Sequence, residues 1–213
     1  MTSCEKSYAN GLSVRGELIL TAAKELFLKH GYDKTSLEMI IAEAGGSRRS
    51  IYNEFGNKQG LLMAVLHQQV VIQTATIASI NTLKLAPSDA LKEMCFHFVK
   101  GLLSDTLVSL YRLVLQVVPK LPEVGVLIYE KGPLKGMQPL TEYLMQLDKE
   151  GVLEIDDAFY ATQMLIEMVK GQLHFKVLLL TKEKIEDQAI QQHVDKAVTL
   201  FLKAYQPEYK LNK

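Results

Sequence analysis

Basic side chains stand at two predicted helix starts, where the helix dipole disfavours them. Arg48 and Arg49 open a helix predicted from about Arg48 to Phe55, and Lys58 opens the next helix just after the candidate cap Asn57. A helix N terminus carries partial positive charge, so a cation there costs roughly 0.3–1 kcal/mol. The placement is explained if a phosphate backbone lies across these helix starts. A plain solvated surface is the alternative interpretation.

Two short helices joined by a glycine turn would position these cations. Thr35 begins a capping box, Ser/Thr-x-x-Glu, whose hydroxyl and Glu38 carboxylate can each satisfy an amide at a helix start. Gly45-Gly46 can end that helix and Ser47 can cap the next one. On the second helix, Ile51 and Phe55 share one face, and the polar residues on or beside the opposite face are Arg49, Ser50, Asn53, Arg48 and Tyr52. This arrangement predicts a helix-turn-helix.

The same stretch resembles the DNA-binding domain of the TetR (tetracycline-repressor) family of bacterial transcription regulators. The family pattern has a Thr-rich helix start, an A-G-x-S turn and then Y-x-x-F-x-x-K-x-x-L. The matching positions are Thr35-Ser36, Ala44-Gly45-Gly46-Ser47, Tyr52, Phe55, Lys58 and Leu61. Ile41 and Gly46 depart from the pattern, either as a volume exchange or as a change that tilts the second helix. Glu54, beside the presumed DNA face, is either turned away or selective.

The rest of the chain is predicted to be helical over about residues 13–30, 58–80, 87–102, 106–118, 123–130, 139–150, 156–181 and 183–205. No strand-like alternation is present, so the predicted fold class is all-α. The helix over 106–118 is apolar nearly all round and is therefore expected to be central. Residues 121–180 are similar to the C-terminal domain of the AefR-like branch of the family. The features that carry this similarity are Leu121-Pro122-Glu123, Tyr129-Glu130-x-Gly132-Pro133, Glu150-Gly151-x-Leu153 and the long helix through Gly171.

Together the two resemblances imply two domains. Residues 13–60 are expected to form a three-helix DNA-binding domain, and 61–213 a helical ligand-binding and dimerisation domain. Residues 1–12 are polar and predicted to form a mobile arm.

The family resemblance implies a homodimer bound to double-stranded operator DNA. Two copies of the Arg48–Phe55 helix would enter successive major grooves, about 34–36 Å apart. Arg48 and Arg49 are predicted to donate to guanine, and Asn53 to adenine. Phosphate contacts and positioning are assigned to Thr35, Ser36, Ser47, Ser50, Tyr52 and Lys58.

Two further sets of residues are predicted in the second domain. A pocket for a small-molecule effector is expected among Phe96, His97, Tyr111, Leu115, Met137, Met164, Glu167 and Met168, with ordinary core filling as the alternative. A four-helix dimer interface is expected from the last two helices, with intrachain core as the alternative. Its predicted residues are Leu173, Phe175, Leu179, Val194, Ala197, Val198 and Phe201.

Composition excludes other classes of protein. The 213 residues have a formal net charge of +0, which argues against a nonspecific polyanion-coating protein. Cys4 and Cys95 match no metal spacing, and no catalytic or phosphate-loop motif occurs, so neither a cofactor nor an enzymatic activity is expected. The chain shows no N-terminal apolar signal and no apolar run expected to span a membrane, and a cytoplasmic location is predicted.

The leading hypothesis is a ligand-responsive repressor that a small, largely apolar inducer releases from its operator. The alternative is a helical small-molecule binding protein without DNA-binding function, which the departures at Ile41 and Gly46 and the acidic Glu54 favour. The sequence does not identify the inducer or the operator. It also leaves open whether the protein represses or activates transcription, and whether one or two dimers occupy a site.

Overall fold

The computed structural model describes residues 11–131, 133–180 and 183–207, and these residues form helices without a strand, which confirms the all-α prediction. Residues 1–10 of the predicted arm, with Cys4, lie outside the described residues. The helices are α1 (Val14–His30), α2 (Leu37–Ala44), α3 (Arg48–Phe55), α4 (Lys58–Ala78), α5 (Pro87–Leu102), α6 (Asp105–Val117), α7 (Pro122–Lys131), α8 (Pro133–Lys149), α9 (Ala158–Leu179) and α10 (Asp187–Ala204). A short 3₁₀ turn, Thr82–Lys84, follows α4.

The chain divides into two compact units. The first takes in the described residues up to Val71 together with those of Ser109–Pro133, and the second takes in those of Ile72–Val108 and Leu134–Lys213. By packing, the first unit therefore reaches beyond residue 60 and includes a later segment. The boundary of the DNA-binding domain near residue 60 stays a prediction about function.

The first unit is built on α1, against which α2 and α3 pack. Its core consists of apolar side chains that α1 to α4 direct inward at helical spacing. The fully buried members include Ile19, Ala23, Phe27, Ile40, Ile51, Phe55, Leu61, Leu62 and Val65. The predicted inward face of the second short helix, Ile51 and Phe55, is thus confirmed.

In the second unit α10 packs against α5 and α9. Their apolar faces and that of α8 form one core, which includes Leu91, Cys95, Val99, Leu140, Leu144, Leu165, Val169, Val194, Val198 and Phe201. Cys95 is completely buried, as expected for a small core residue, and burial raises the pKa of its thiol far above the ordinary value.

Helix α8 begins six residues before the predicted start. Pro139 was expected to open this helix, but it lies inside the helix, which begins at Pro133. A proline in a helix interior removes a hydrogen bond and costs about 3 kcal/mol. Leu134 and Met137 precede Pro139 and pack with the second core, and their burial offsets that cost.

Helix α9 is interrupted at Gly171, whose φ of 43° and ψ of −139° are not helical. The ring Nε2 of His193, on α10, donates to the Met168 carbonyl at 3.0 Å. A Cβ at position 171 would lie 2.9 Å from that nitrogen. Glycine is favoured here for two reasons: its φ is positive, which other residues rarely adopt, and it leaves room for the ring of His193.

Two expectations about apolar helices were wrong. The stretch Lys58–Lys84 is long and apolar enough to cross a membrane by length and composition, although no such run was expected. The signal is weak, because Leu61, Leu62 and Val65 in this stretch belong to the core of the first unit. Helix α6 is not enclosed all round, since Tyr111 is 45% and Leu115 57% exposed.

Candidate nucleic-acid interface

The helix-turn-helix is capped at each predicted junction. The Ser36 hydroxyl accepts from the Met39 amide at the start of α2, and the Ser47 hydroxyl accepts from the Ser50 amide at the start of α3. Gly45, with a φ of 72°, ends α2, and its amide donates to the Ile41 carbonyl. Short polar N-caps and a glycine in the left-handed region fix the turn locally.

Two roles predicted for Thr35, the first residue of the capping box and a phosphate contact, are corrected by the structure. Its side chain is 1% exposed, and its hydroxyl donates to the Leu26 carbonyl at 3.1 Å and the Gly31 carbonyl at 2.8 Å. The hydroxyl that caps α2 belongs to Ser36 instead. Thr35 therefore ties the end of α1 to the start of α2 and does not present its side chain to a phosphate.

The face of α3 opposite Ile51 and Phe55 is polar and open to solvent. Arg49, Tyr52 and Asn53 are exposed on or beside this face, and Ser50 is half-buried next to them. Ser47 and Arg48, at the start of the helix, are exposed as well. This is the orientation that the helical spacing predicted. All three candidate base-reading residues, Arg48, Arg49 and Asn53, thus lie on an exposed surface.

The two arginines at the start of α3 differ in their surroundings. Arg48 forms an ion pair with Glu38 of α2, and both side chains are exposed. The pKa of Glu38 lies below its ordinary value because its backbone amide donates to the carboxylate and Arg48 adds a second hydrogen bond. No ion pair or hydrogen bond joins Arg49 to another side chain in the described part of the chain. Arg49 is therefore the cation that a ligand meets without breaking an internal contact.

Lys58 stands over an aromatic ring at the start of α4. Its Nζ lies 4.3 Å from the centroid of the Tyr32 ring, and the Asn57 carboxamide oxygen accepts from the Gly60 amide at 2.8 Å, as the predicted cap requires. Burial lowers the pKa of Lys58, and the nearby Asp33 opposes that shift. The contact with Tyr32 fixes this cation beside the start of α4.

Residues at the start of α1 contact both α2 and α3, and no local sequence signal indicated these contacts. The Arg15 guanidinium donates to the Ala44 carbonyl at the end of α2 at 2.9 Å. A Cβ at Gly46 would lie 3.2 Å from Arg15 Cδ, so the Arg15 stem occupies the space beside this departure from the family pattern. Glu54 is turned away from the exposed face and accepts a hydrogen bond from the Ser13 hydroxyl.

The predicted pocket residues are distributed over both units. Tyr111 and Leu115 are exposed in the first unit. In the second, Met137 is buried in the core, as core filling predicts, whereas Phe96 and Met168 are half-buried against that core and Met164 is exposed. His97 contacts Glu93 at 3.2 Å, and Glu167 pairs with Lys170. The effector site stays a prediction.

Four of the predicted dimer residues are corrected by the structure. Val194, Ala197, Val198 and Phe201 are buried in the core of their own chain, where α10 packs on α5. Leu173 is half-buried against the same core. Phe175 and Leu179 on α9 remain exposed, at 66% and 63%. The intrachain alternative therefore holds for these four residues of α10, and in the predicted set Phe175 and Leu179 on α9 remain candidates for a partner chain.

A three-helix unit whose third helix turns a polar, partly cationic face to solvent defines a helix-turn-helix DNA-binding protein. Residues 19–65 match the family described as bacterial regulatory proteins, tetR family, and residues 89–207 match the AefR-like transcriptional repressor C-terminal domain. The chain belongs to the TetR family of bacterial DNA-binding regulators. This is a family of transcription regulators and not of enzymes.

Curated relatives match part of the chain. The HTH-type transcriptional repressor ComR of Escherichia coli (strain K12) is 41% identical over 51 residues, 24% of either protein. The HTH-type transcriptional regulator RutR of the same strain is 33% identical over 85 residues, 40% of either protein. The chain therefore matches less than half the length of these relatives.

Solved structures match nearly the whole chain. A TetR-family protein from Mesorhizobium loti MAFF303099 has a TM-score of 0.83 at 24% identity, covering 91% of this chain and 97% of that one. The Flavonoid-responsive Regulator FrrA has a TM-score of 0.77 at 25% identity, covering 91% and 98%. SmeT, the repressor of the Stenotrophomonas maltophilia multidrug efflux pump SmeDEF, has a TM-score of 0.62 at 24% identity, covering 92% of each chain. At 24% identity, the first and third of these likenesses establish the fold alone.

Proposed function

We propose that this protein is a cytoplasmic, homodimeric transcriptional repressor that reads operator DNA with α3. The observation that carries the proposal is the exposed polar face of α3, where Arg49 and Asn53 point to solvent while Ile51 and Phe55 anchor the helix. Arginine can donate to guanine and asparagine to adenine in the major groove. Ser36, Ser47, Ser50, Tyr52 and Lys58 remain the proposed phosphate and positioning contacts, and Arg48 remains a base-reading candidate once it leaves Glu38.

A small, largely apolar effector is proposed to control DNA binding. FrrA is named as flavonoid-responsive, which supports an effector of this kind for a chain of similar fold. Helix α4 runs without interruption from Lys58 to Ala78, so a displacement of its far end is transmitted to its start. The effector must prefer the state in which the two reading helices are wrongly spaced, because only differential affinity shifts the equilibrium.

The alternative is a small-molecule binding protein without DNA-binding function. Two of the features that favour it, Gly46 and Glu54, have another explanation in the fold. The Gly46 departure is accommodated by the Arg15 stem, and Glu54 faces Ser13 and not the exposed face of α3. Neither feature disturbs the recognition helix.

The experiment that tests the function is a gel shift with duplexes from around the protein's own gene, compared with scrambled duplexes of equal length and base composition. At some protein concentration, the wild type is expected to shift one of the native duplexes while the scrambled duplexes migrate as free DNA. Equal binding to native and scrambled duplexes at every salt concentration would contradict the proposal.

A further inference from the structure

The carboxylate of Glu54 sits at the N-terminal turn of α1. One of its oxygens accepts from the Ser13 hydroxyl at 2.5 Å, and the other lies 3.4 Å from the Ser13 amide. The same hydroxyl accepts from the Gly16 amide at 3.0 Å and so caps α1. A continuous set of hydrogen bonds thus joins the end of α3 to the start of α1. A negative group at this end of a helix is also stabilised by the helix dipole.

Gly16, in the first turn of α1, lies beside the same carboxylate. It lies inside α1 with no positive φ, so its backbone does not require glycine. A glycine inside a helix destabilises it by roughly 0.5–1 kcal/mol relative to alanine. A Cβ at this position would overlap the Glu54 carboxyl group. A glycine at position 16 leaves room for the Glu54 carboxyl group, which would have to shift if a Cβ were added.

The place of Glu54 on α3 determines what this attachment does. Successive residues are about 100° apart on a helix, so Glu54 lies about 80° to one side of the stripe formed by Ile51 and Phe55. Ile51 and Phe55 anchor this eight-residue helix along a single buried stripe. A contact to one side of the stripe, as Glu54 makes with Ser13, resists rotation of the helix about its axis.

We propose that Glu54 is a positioning residue, whose carboxylate at the start of α1 sets the roll of α3 and so aims Arg49 and Asn53 at the base edges. The inference rests on the proposed function. Glu54 then neither reads a base nor repels phosphates. Its contribution lies in discrimination between sequences, because a rolled helix still meets the phosphate backbone but presents its base-reading side chains in the wrong direction.

Three single variants test the inference: Glu54→Gln, Gly16→Ala and Ser13→Ala. Each is titrated with the native duplex that the wild type retains and with its scrambled counterpart. In each variant the affinity for the native duplex should fall by about tenfold, which corresponds to the loss of one charge-assisted hydrogen bond, while the affinity for scrambled DNA stays within about twofold. Ser13→Thr keeps the hydroxyl and should retain the wild-type ratio of the two affinities.

The double variant Glu54→Gln with Gly16→Ala should lose less affinity than the sum of the two single losses, because both changes weaken the same contact. If Glu54→Gln instead raises the affinity for both duplexes, the carboxylate is a repulsive charge on the DNA face and the inference is wrong. A lower melting temperature with an unchanged affinity ratio would also overturn it, since the contact would then serve stability alone. A wild type without preference for any native duplex contradicts the proposed function, and the inference with it.

Discussion

The three cations at the helix starts, Arg48, Arg49 and Lys58, look alike in the sequence but differ in the folded chain. The exposure of Arg48 and Arg49 could be predicted, because helical periodicity places each side chain relative to the buried stripe, whereas Lys58 at the start of α4 is half-buried. The partners of Arg48 and Lys58 could not be predicted. Glu38 meets Arg48 from α2, and Tyr32 meets Lys58 from the loop between α1 and α2, through packing between elements that no local pattern encodes.

Lys58→Ala tests the phosphate contact. Each phosphate neutralised adds about one unit to the slope of log affinity against log salt. The variant should therefore bind the native and scrambled duplexes more weakly by the same factor, and its slope should be shallower by about one. Binding measured from low to physiological salt supplies the slope. Lys58→Arg should keep the wild-type slope, and an unchanged slope in Lys58→Ala would remove Lys58 from the phosphate contacts.

At the scale of elements, helices and caps were largely predictable, and the connections between helices were not. The bounds of α3 agree with prediction because Ser47 and Gly56 mark its ends with local chemistry. Helix α8 was predicted to begin too late, since burial of Leu134 and Met137 overrides the local signal of Pro139. The bracing role of Ser13 and Arg15 was missed because their partners, Glu54 and Ala44, lie far along the chain.

Within the first unit, two polar contacts join residues at or just before the start of α7 to earlier parts of the chain. Lys120 pairs with Asp33 in the loop between α1 and α2, and Glu123 accepts from the Gln59 carboxamide at 3.2 Å. The hydrogen bond from Lys120 is the largest cause of the lowered pKa of Asp33.

The Asp33 shift predicts how the stability of the protein depends on pH. A lowered folded pKa means that the pair stabilises the fold above the ordinary value of 3.8, and that this contribution is lost as pH falls through the lower folded value. Asp33→Asn should therefore lower the melting temperature slightly at neutral pH and at low salt, because exposed pairs are screened. The difference from the wild type should vanish in acid. Lys120→Met should show the same pH dependence, and a difference that persists unchanged below the folded pKa would contradict it.

At the scale of the whole molecule, the fold class followed from the absence of strand patterns, but the dimer face was only partly predictable. Periodicity identifies the apolar face of a helix without showing what covers it. For α10 that cover is α5 of the same chain, which is why Val194, Ala197, Val198 and Phe201 are core residues. For α9, Phe175 and Leu179 remain uncovered.

The double variant Phe175→Glu with Leu179→Glu tests the proposed dimer. Two carboxylates in an apolar contact with a second chain would be desolvated without partners, so the variant should be monomeric. Mass from sedimentation equilibrium or light scattering decides between the states. Met145→Glu changes an exposed apolar residue on α8 and should leave the dimer intact. A wild type and double variant of equal mass would exclude α9 as the dimer face.

Arg49 is the residue proposed to read a base pair from the exposed face of α3. The most direct test is the affinity of Arg49→Ala for the native and the scrambled duplex, with Arg49→Lys as the control that keeps the charge. Loss of a bidentate contact to guanine should weaken binding to the native duplex by about 1–3 kcal/mol and affect scrambled DNA far less. Arg49→Lys should lose most of the same preference, because lysine lacks the planar fork of donors. If Arg49→Ala weakens both duplexes equally, Arg49 does not read a base and the account of α3 is wrong.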